Sequence, residues 1–543
     1  MHAIKRYLSA TLAILLLVFA VSAFAEGEDP MAKYDEMITI TTCRSIGDTV
    51  QTYIDKKDDV LTDNIWFNSY RDELGINVEY VWTAPSAQYE EKMNAQIAAN
   101  DLPDFMNVNA SQLKQLVDYG MAYDMTEIFE QYATPFTMEM MEADMNVALD
   151  QATFDGRLMA LPQVAGNRDG ANFWWIRFDW LENLGLEEPK TLDELVAVMY
   201  AFAQNDPDGN GENDTFGMGI NKELFGSLGL GALCDGLGAY PDGWIEGESG
   251  IEYGSIQPEV KEALALVSQL YADGVLDREF IVKDSTKVNE DIIAGRIGLF
   301  SGQHAQAFYP LQDSVVADPE ADWRAISIVS DDGSTPKTMI GGSAGSYYVV
   351  NVDCEHPEAV MKLYNYFYMK DPALSPDFDM HYHGRLDADP NSEITEWYQW
   401  AAINSAYPMQ NLFIHRGVES YFEDGDESMK ENYWVADNIS GNENYLAGDI
   451  TYWSTYAWSG AGDYSGEGRI DYYDLNGMFI QNAYTGANTD SMVLYNATLE
   501  QLRLDTFTRI ITGDASIDEF DNYVEQWKAL GGDMITQEVN EAA

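Results

Sequence analysis

The pattern that most constrains the fold is an alternation of short strand-like segments with longer helix-like segments. "MITITTCRS" (residues 37–45) and "INVEYVW" (residues 76–82) alternate apolar and polar side chains with the period of a strand. Between such segments, residues 87–99 carry Tyr89, Met93 and Ile97 on one helical stripe. Repeated strand–helix–strand units predict an α/β fold with a largely parallel sheet that helices cover on both faces.

The length of the chain indicates more than one core. Its 543 residues exceed the ~250–300 residues at which a single core stops growing. A second region starts near residues 154–162 and continues into an aromatic strand, and Thr191 with Glu194 forms a capping box that predicts a helix start. Ser516 and Glu519 form another capping box before a final helix, which we expect to end at Gly531-Gly532.

Residues 1–25 have the three parts of a secretory signal peptide. Lys5 and Arg6 precede an apolar run from Leu8 to about Val21, and Ala23-Phe24-Ala25 forms a small-x-small cleavage signal. No cysteine lies at the cleavage point, so no lipid anchor is predicted. No other stretch approaches the ~20 apolar residues that span a bilayer. We therefore expect an exported, soluble mature protein, either extracellular, in the cell envelope or periplasmic.

The formal charge of −61 limits the partners. An acidic field repels nucleic acid, which is bound through lysine and arginine, so we expect no nucleic-acid partner. Neutral solutes, cations or a basic protein patch remain as possible partners. We expect the protein to be a monomer. Cys43, Cys234 and Cys354 have no metal-binding spacing and are predicted to be small core residues, with one disulfide left open.

The segment "NDPDGNGENDTFG" (residues 205–217) has the ligand spacing of a calcium loop. Gly211 stands where such a loop tightens, but Gly217 replaces the bidentate glutamate of an EF-hand, so the segment is not an EF-hand. A turn without a metal is the alternative, because Asn, Asp and Gly favour turns. We predict a structural calcium ion whose ligands are Asp206, Asp208, Asn210, the backbone carbonyl of Glu212, and Asp214.

Several longer segments carry a family resemblance. "LPDFMNVNASQLKQLVDYGMAYDMTE", "DGRLMALP", "WWIRFDWLENLGLEEPKTLDEL", "EDIIAGRIGLF" and "FTRIITGDASIDEFDNYVEQWKALGGDMITQEVN" occur in this order, with the polar loop among them. Together they resemble the family-1 extracellular solute-binding proteins of ABC importers, in the branch of large oligosaccharide-binding lipoproteins and alginate-oligosaccharide binders. The resemblance covers nearly the whole mature chain.

The resemblance implies a two-lobed α/β receptor of the periplasmic-binding-protein type, with a hinge and an inter-lobe cleft. Such a receptor closes on an oligosaccharide and delivers it to an ABC permease in the membrane. Residues 26–164 and about 342–400 would form lobe 1, and residues 165–341 and about 401–543 would form lobe 2. The metal loop of the branch matches the five loop residues above, while Thr215 stands where a relative has an acidic ligand.

Candidate ligand contacts follow from two physical requirements. Ligands of open α/β sheets bind beyond the carboxyl ends of strands, and sugars need flat apolar faces together with amide, carboxylate or guanidinium groups. Trp174 and Trp175 are adjacent on one strand, so at most one can face a cleft. Residues 449–460 form an aromatic stretch that is either a lid or a satellite cluster. The candidates are Arg44, Asn109, Trp174, Trp175, Trp244, Gln303, His304, Tyr452, Trp453 and Trp458.

An enzyme is the main rival interpretation. A glycosidase needs two carboxylates ~5–10 Å apart, but among 91 acidic residues such pairs carry no information. H-E-x-x-H is absent, and the pair His381 and His383 has no apparent acidic partner. We therefore predict a binding protein and not an enzyme. A peptide or other small-solute receptor of the same fold and a secreted glycoside hydrolase are the alternatives.

Overall fold

The computed structural model describes residues 29–55, 61–143, 146–247, 249–330, 333–370 and 397–542. The predicted signal peptide and the pair His381 and His383 lie outside these residues. The strands and helices fall into four consecutive segments of the chain.

The first segment, residues 29–164, contains six strands and seven helices. The strands are β1 (Ile38–Ile46), β2 (Ile76–Pro85), β3 (Phe105–Val108), β4 (Thr153–Phe154), β5 (Arg157–Leu158) and β6 (Leu161–Val164). The helices are α1 (Asp48–Ile54), α2 (Ile65–Ser69), α3 (Ser86–Ala99), α4 (Ala110–Asp118), α5 (Thr126–Tyr132), α6 (Pro135–Glu142) and α7 (Val147–Gln151).

The second segment, residues 165–343, contains six strands and six helices. The strands are β7 (Phe173–Arg177), β8 (Trp244–Gly247), β9 (Gly250–Tyr253), β10 (Leu299–Gly302), β11 (Trp323–Ile326) and β12 (Thr338–Ile340). The helices are α8 (Phe178–Leu184), α9 (Leu192–Gln204), α10 (Gly231–Gly236), α11 (Pro258–Ala272), α12 (Ser285–Ile293) and α13 (Leu311–Ala317).

Where the structure describes them, the third and fourth segments are mostly helical. Residues 344–403 contribute β13 (Ala344–Val350) and α14 (Pro357–Met369). Residues 404–542 contribute one strand, β14 (Phe479–Gln481). The helices of this last segment are α15 (Gln410–Glu419), α16 (Tyr433–Leu446), α17 (Trp453–Ser459), α18 (Gly466–Asn476), α19 (Asp490–Thr512), α20 (Glu519–Trp527) and α21 (Asp533–Ala542).

The buried apolar residues form two separate cores. The first core takes its residues from the first and third segments, with Trp66 and Tyr364 among its fully buried side chains. The second core takes its residues from the second and fourth segments, and Trp180 is among its fully buried side chains. The chain passes between the cores three times, at residues 165–170, 341–343 and 404–411. We call these stretches the three crossings.

The sheets are mixed rather than largely parallel. β1 pairs with β2 in parallel, and β12 pairs with β14 in parallel. β13 lies antiparallel between β3 and β6, and β7 lies antiparallel between β10 and β11. The expectation of a largely parallel sheet is therefore wrong. The physical reason is that β7 and β13 enter their cores directly from a crossing, so they run opposite to the strands that end at the same edge.

The predicted helix caps are only partly correct. Thr191 accepts a hydrogen bond from the backbone N–H of Glu194 (3.2 Å), and α9 begins directly after it. The Glu194 carboxylate accepts from the N–H of Lys190 (2.8 Å), one residue before the capping position. At the C-terminal end, α20 begins at Glu519 itself, because residues 516–518 form a turn. Beyond the break at Gly531 (φ 129°) the chain continues as α21.

The cysteines behave as the sequence predicts. Cys43, Cys234 and Cys354 are buried thiols without a disulfide. Among the residues described above, no helix combines the length and the apolarity needed to cross a membrane.

Candidate functional site

The loop that follows β10 lies at the edge of the sheet formed by β10, β7 and β11, beside the first crossing. Two hydrogen bonds fix this loop: the Trp175 indole N–H donates to the carbonyl of Gln303 (3.0 Å), and the Gln303 amide donates to the carbonyl of Gly170 (3.1 Å) in the first crossing. Gln303 and His304 are both half-buried. The structure thus locates these two candidates at a strand end next to the passage between the cores.

Three ionisable side chains converge behind this loop. One ligand atom each from Asp169, His304 and Glu467 lie within 4.8 Å of one another. His304 Nδ1 contacts Glu467 Oε1, and Glu467 is completely buried, with no hydrogen-bond partner for its Oε2. A Cβ on Gly466 would lie 2.9 Å from the Cα of His304, so only glycine lets α18 approach this closely. We call Asp169, His304 and Glu467 the acid–histidine cluster.

Burial and mutual charge shift the pKa values in the acid–histidine cluster. Burial raises the pKa of Asp169 to about 6, and the Glu467 charge adds to this shift, while His304, Asn411 and Arg168 act against it. Burial alone would lower the pKa of His304, but the hydrogen bond and charge of Glu467 and the charge of Asp169 raise it. When His304 is protonated, its Nδ1 donates to Glu467, and the cluster then carries one net negative charge if Asp169 is ionised.

A pocket of about 360 Å³ adjoins the acid–histidine cluster. The Trp458 indole nitrogen lies 2.8 Å from His304 Nδ1, and the Asn411 amide donates to Asp169 Oδ2 (2.9 Å), so two residues of the pocket wall contact the cluster directly. The wall combines aromatic rings with amides and one carboxylate. These residues are Phe308, Trp434, Tyr452 and Trp458, then Gln410, Asn411 and Asn438, and finally Asp437. We call this cavity the aromatic–amide pocket.

The predicted aromatic lid is instead a packed helix. Residues 453–459 form α17, and the backbone N–H of Ser454 donates to the side chain of Gln312 (2.8 Å). Trp453 is only 4 % exposed and belongs to the second core, so it does not face a ligand. Tyr452 is 39 % exposed and Trp458 is 9 % exposed, and both line the aromatic–amide pocket.

Trp174 and Trp175 are completely buried. Neither of them faces a cleft, so the prediction of Trp174 and Trp175 as ligand contacts is wrong. The reason is that β7 is the central strand of its sheet, with β10 on one side and β11 on the other, and both of its faces are covered by the second core.

Trp244 lies at a different place from the other aromatic candidates. It faces a smaller pocket of about 230 Å³ together with Tyr253, Tyr484 and Trp527. The Tyr253 ring stacks on Trp527 (5.0 Å between centroids) and lies 5.2 Å from Trp244, so these rings pack largely on one another. This pocket shares no lining residue with the aromatic–amide pocket.

Arg44 and Asn109 lie at strand ends of the first core, but internal bonds hold both side chains. The Arg44 guanidinium donates to the Tyr80 hydroxyl (3.0 Å) and to the carbonyl of Ala401 (3.2 Å). Asn109 caps α4 by accepting from the N–H of Gln112 (2.9 Å) in a complete capping box. Each therefore has a structural task that is independent of any ligand.

A larger groove lies between the cores, whereas the residues that line the aromatic–amide pocket all belong to the second and fourth segments. It has a volume of about 1100 Å³ and is lined by α4 and α7 of the first core and by residues 479–487 of the second. Gln151 forms two hydrogen bonds in this region. Its side chain accepts from the N–H of Ser343 (2.9 Å) and donates to the carbonyl of Thr485 (2.9 Å). Within the described part of the chain, no tryptophan lines this groove, and it shares no residue with the aromatic–amide pocket.

Sequence reasoning missed several residues of the site. Asp169 and Asn411 lie in or next to crossings, and a search for polar residues between predicted segments of the two cores could have found them. Trp434 and Glu467 lie on helices and are distant in sequence from the residues that they join. No local pattern distinguishes these two from ordinary helical residues.

The predicted metal loop is an exposed turn with converging oxygen atoms. The N–H of Gly211 donates to Asp206 Oδ2 (3.0 Å), and the Asn210 amide donates to both Asp208 (2.8 Å) and Asp214 (3.3 Å). Thr215 points away, with its hydroxyl on the carbonyl of Phe202 (2.7 Å).

The residues of this loop fit a cation. Asp206 Oδ1 is buried without a hydrogen-bond partner, which is costly for a carboxylate oxygen unless something else binds it. Burial and the neighbouring carboxylates of Asp206 and Asp214 raise the pKa of Asp208. A divalent ion would relieve both effects.

One further group of possible metal ligands is structural. His415, Glu419 and Asp471 also lie within 4.8 Å of one another. Asp471 is already paired with Arg416 (2.6 Å), and buried His415 lies 3.2 Å from the carbonyl of Ser459.

Residues 45–371 match the family of bacterial extracellular solute-binding proteins. Because this range is more than half of the chain, the protein belongs to that family, as the resemblance implies. The family consists of binding proteins rather than enzymes, and its members act outside the cytoplasm.

Individual relatives support the same assignment. The polygalacturonan/rhamnogalacturonan-binding protein YtcQ of Bacillus subtilis is 24% identical over 478 residues, which cover 86% of this chain and 85% of the relative. The HMO-binding solute-binding protein associated with an ABC transporter from Bifidobacterium longum infantis superimposes with a TM-score of 0.61 at 16% identity, covering 93% of this chain and 98% of that one.

A third comparison concerns an EF-hand mutant of the FusA substrate-binding protein from S. pneumoniae, solved with fructo-nystose. It superimposes with a TM-score of 0.52 at 15% identity and covers 93% of this chain and 99% of that one. At such identities these structures establish the fold, and the predicted α/β solute-binding architecture is confirmed.

Proposed function

We propose that this protein is an extracytoplasmic receptor that captures an oligosaccharide between its two cores and delivers it to an ABC permease in the membrane. The observation that carries the proposal is the aromatic–amide pocket at the end of β10, beside the crossings. Aromatic rings offer flat faces for the C–H groups of a sugar ring, and amides donate to and accept from its hydroxyls. The relatives YtcQ and FusA are associated by name or bound ligand with carbohydrates.

The two cores correspond in this proposal to two lobes joined by a hinge. Lobe 1 consists of residues 26–164 and the third segment, and lobe 2 consists of residues 165–341 and the fourth segment. Because Trp400 and Ile403 are buried in the first core, the last boundary falls in the third crossing rather than at residue 401. Ligand contacts with both lobes would favour a closed state over an open one.

The ligand is proposed to bind in the aromatic–amide pocket rather than in the larger groove. Gln303, His304, Tyr452 and Trp458 remain candidate contacts because they lie in or next to this pocket. Arg44 and Asn109 are the candidate contributions of lobe 1. The described residues of the larger groove include no tryptophan, so that groove offers smaller stacking faces to a sugar.

A structural calcium ion is proposed at the polar loop. Asp206, Asp208, Asn210 and Asp214 would supply side-chain oxygens, and Glu212 would supply its carbonyl. The unpaired Asp206 Oδ1 supports this assignment, as does the EF-hand after which the mutant of FusA is named. The ion would neutralise the clustered carboxylates and fix the connection that follows α9.

We also propose that the protein is exported, is a monomer and has no catalytic activity. The first 25 residues support export, and the net charge of −61 argues against nucleic acid as a partner. A peptide receptor of the same fold remains the competing function. Peptides would be recognised through backbone-like polar contacts and would use the aromatic rings less.

The proposal is tested by thermal-shift screening of the mature protein. The panel contains malto-, xylo-, fructo-, manno- and galacto-oligosaccharides, with alanine and glycine peptides as controls. We expect one glycan class to raise the melting temperature, calorimetry to give saturable binding, and chromatography to recover that glycan uncut. A shift with peptides alone would contradict the carbohydrate assignment, and cleavage of the glycan would indicate a hydrolase.

A further inference from the structure

The charges around the aromatic–amide pocket bear on the class of sugar that it accepts. The two carboxylates of the acid–histidine cluster face one histidine, and Asp437 adds a carboxylate to the pocket wall. Among the lining residues that the structure describes, none is a lysine or an arginine. A ligand in this pocket therefore meets several carboxylates and no lysine or arginine that could receive a carboxylate of its own.

Two arginines near the acid–histidine cluster are already bound to acidic partners. Arg168, next to Asp169 in sequence, pairs with Asp474 (3.1 Å). Arg416 pairs with Asp471 (2.6 Å) and with Asp474 (2.7 Å). Releasing Arg416 to a ligand would leave Asp471 without this partner. Releasing Arg168 would take one of two guanidinium partners from Asp474, and either loss is costly in a partly buried site.

The candidate arginine of the first core is also committed. Arg44 donates from its terminal nitrogens to the Tyr80 hydroxyl and to the carbonyls of Gln399 and Ala401. Its Nε is buried without a partner, so it is not presented to solvent. The guanidinium is therefore built into the first core rather than held open for an anionic group.

The acceptors of the site suit hydroxyl donors instead. Half-buried Asp169 receives one hydrogen bond from Asn411 on Oδ2, and a carboxylate has further lone pairs for sugar hydroxyls. Completely buried Glu467 stands behind His304 and holds the ring through Nδ1, so its charge acts on the pocket without touching the ligand.

From this arrangement we infer that the receptor selects neutral oligosaccharides and excludes uronic-acid oligosaccharides, with Asp169 and Glu467 as the residues that discriminate. This inference rests on the proposed function. It separates the chain from its relative YtcQ, which is named for polygalacturonan, an anionic polymer. At separations of about 6 Å, carboxylate repulsion at an effective dielectric constant near 20 corresponds to roughly a hundredfold in Kd.

The test compares matched trisaccharides that differ only in oxidation at C6. Mannotriose is compared with trimannuronate, and galactotriose with trigalacturonate, by calorimetry on the mature protein at low and high salt. In any pair whose neutral member binds, we expect the uronate to bind about a hundredfold more weakly. We also expect its affinity to rise with salt, because salt screens repulsion. If no pair gives binding, trigalacturonate is compared with the neutral glycan that the thermal screen identifies.

Charge-neutral variants locate the cause. The folding of Asp169→Asn and Glu467→Gln is checked by circular dichroism. In both variants the difference between neutral and uronic ligands, expressed as the ratio of their Kd values, should fall about tenfold. A uronate that binds within tenfold of its neutral partner, or whose affinity falls with salt, overturns the inference but leaves an oligosaccharide receptor. A folded variant with an unchanged difference also overturns it. Binding of neither class in the whole panel refutes the proposed function itself.

Discussion

At the scale of single residues, location in the fold separates ligand candidates from core residues of the same type. Trp434 is half-buried on the wall of the aromatic–amide pocket, whereas Trp453 is 4 % exposed inside the second core. Both lie on helices rich in aromatic residues, and composition does not tell them apart. Sequence reasoning selected Trp453 and overlooked Trp434, because burial depends on contacts between helices that no local pattern records.

These two tryptophans form a matched pair for mutation. Trp434→Ala should raise the Kd for the bound glycan at least tenfold, about 1.4 kcal/mol, and change the melting temperature little. Trp453→Ala should lower the free energy of unfolding by about 3–5 kcal/mol, because it empties a core site, while the folded fraction keeps its affinity. Calorimetry and urea unfolding of both variants measure the two quantities. If Trp453→Ala weakened glycan binding and Trp434→Ala instead lowered the free energy of unfolding, the ligand would bind at α17.

Asp235 allows a test of pH-dependent stability at the point where α10 contacts Asn172 and Thr338. It is 4 % exposed, and burial raises its pKa to about 7 although Asn172 (3.0 Å) and Thr338 donate hydrogen bonds to it. A raised folded-state pKa stabilises the protein fully below the unfolded value near 3.8, and this stabilisation is lost as pH rises through about 7.

We therefore expect Asp235→Asn to flatten the loss of stability between about pH 4 and pH 7, by an amount on the order of 4 kcal/mol. Urea unfolding of the variant and the wild-type protein across this range measures the difference. Asp353→Asn, at an exposed turn of the first core, is the control and should retain the wild-type slope. Equal slopes in all three proteins would show that the Asp235 carboxyl titrates alike in the folded and unfolded states.

At the scale of elements, the sequence predicts where strands and helices lie better than how they run. β1, β2 and α9 occur where alternation and the Thr191 cap predict them. The direction of β7 and β13 was not predictable in the same way, because it depends on which core each strand enters and from which end. The placement of His304 after β10 was predictable, since it follows directly from a strand end.

The polar loop is the element whose structural role a metal titration can test. Calcium at about 100 times its Kd should stabilise the metal-stripped protein by about 2.7 kcal/mol, because the ion neutralises Asp206, Asp208 and Asp214. The paired variant Asp206→Asn with Asp208→Asn should lose this gain, and the control Asp353→Asn should keep it. Differential scanning calorimetry with and without calcium measures the effect. An unchanged melting temperature together with no calorimetric binding of calcium would show that the loop is a turn that binds no calcium.

At the scale of the whole molecule, the chain builds two cores from alternating segments, so each core depends on residues distant in sequence. The family resemblance predicts two lobes, and that division stays a prediction, while the structure shows two cores that each draw on two distant segments. The acid–histidine cluster could not be predicted from the same signals. It exists only because the first crossing, the loop after β10 and α18 meet at one edge of the second core.

Capture by closure between the two cores is tested most directly by small-angle X-ray scattering of the mature protein. Scattering is measured with and without a glycan at a concentration that calorimetry has shown to be saturating. If the ligand draws two lobes together, the radius of gyration falls on saturation, and Trp434→Ala at the same glycan concentration shows a smaller fall. A radius that stays the same at full occupancy would contradict capture by closure.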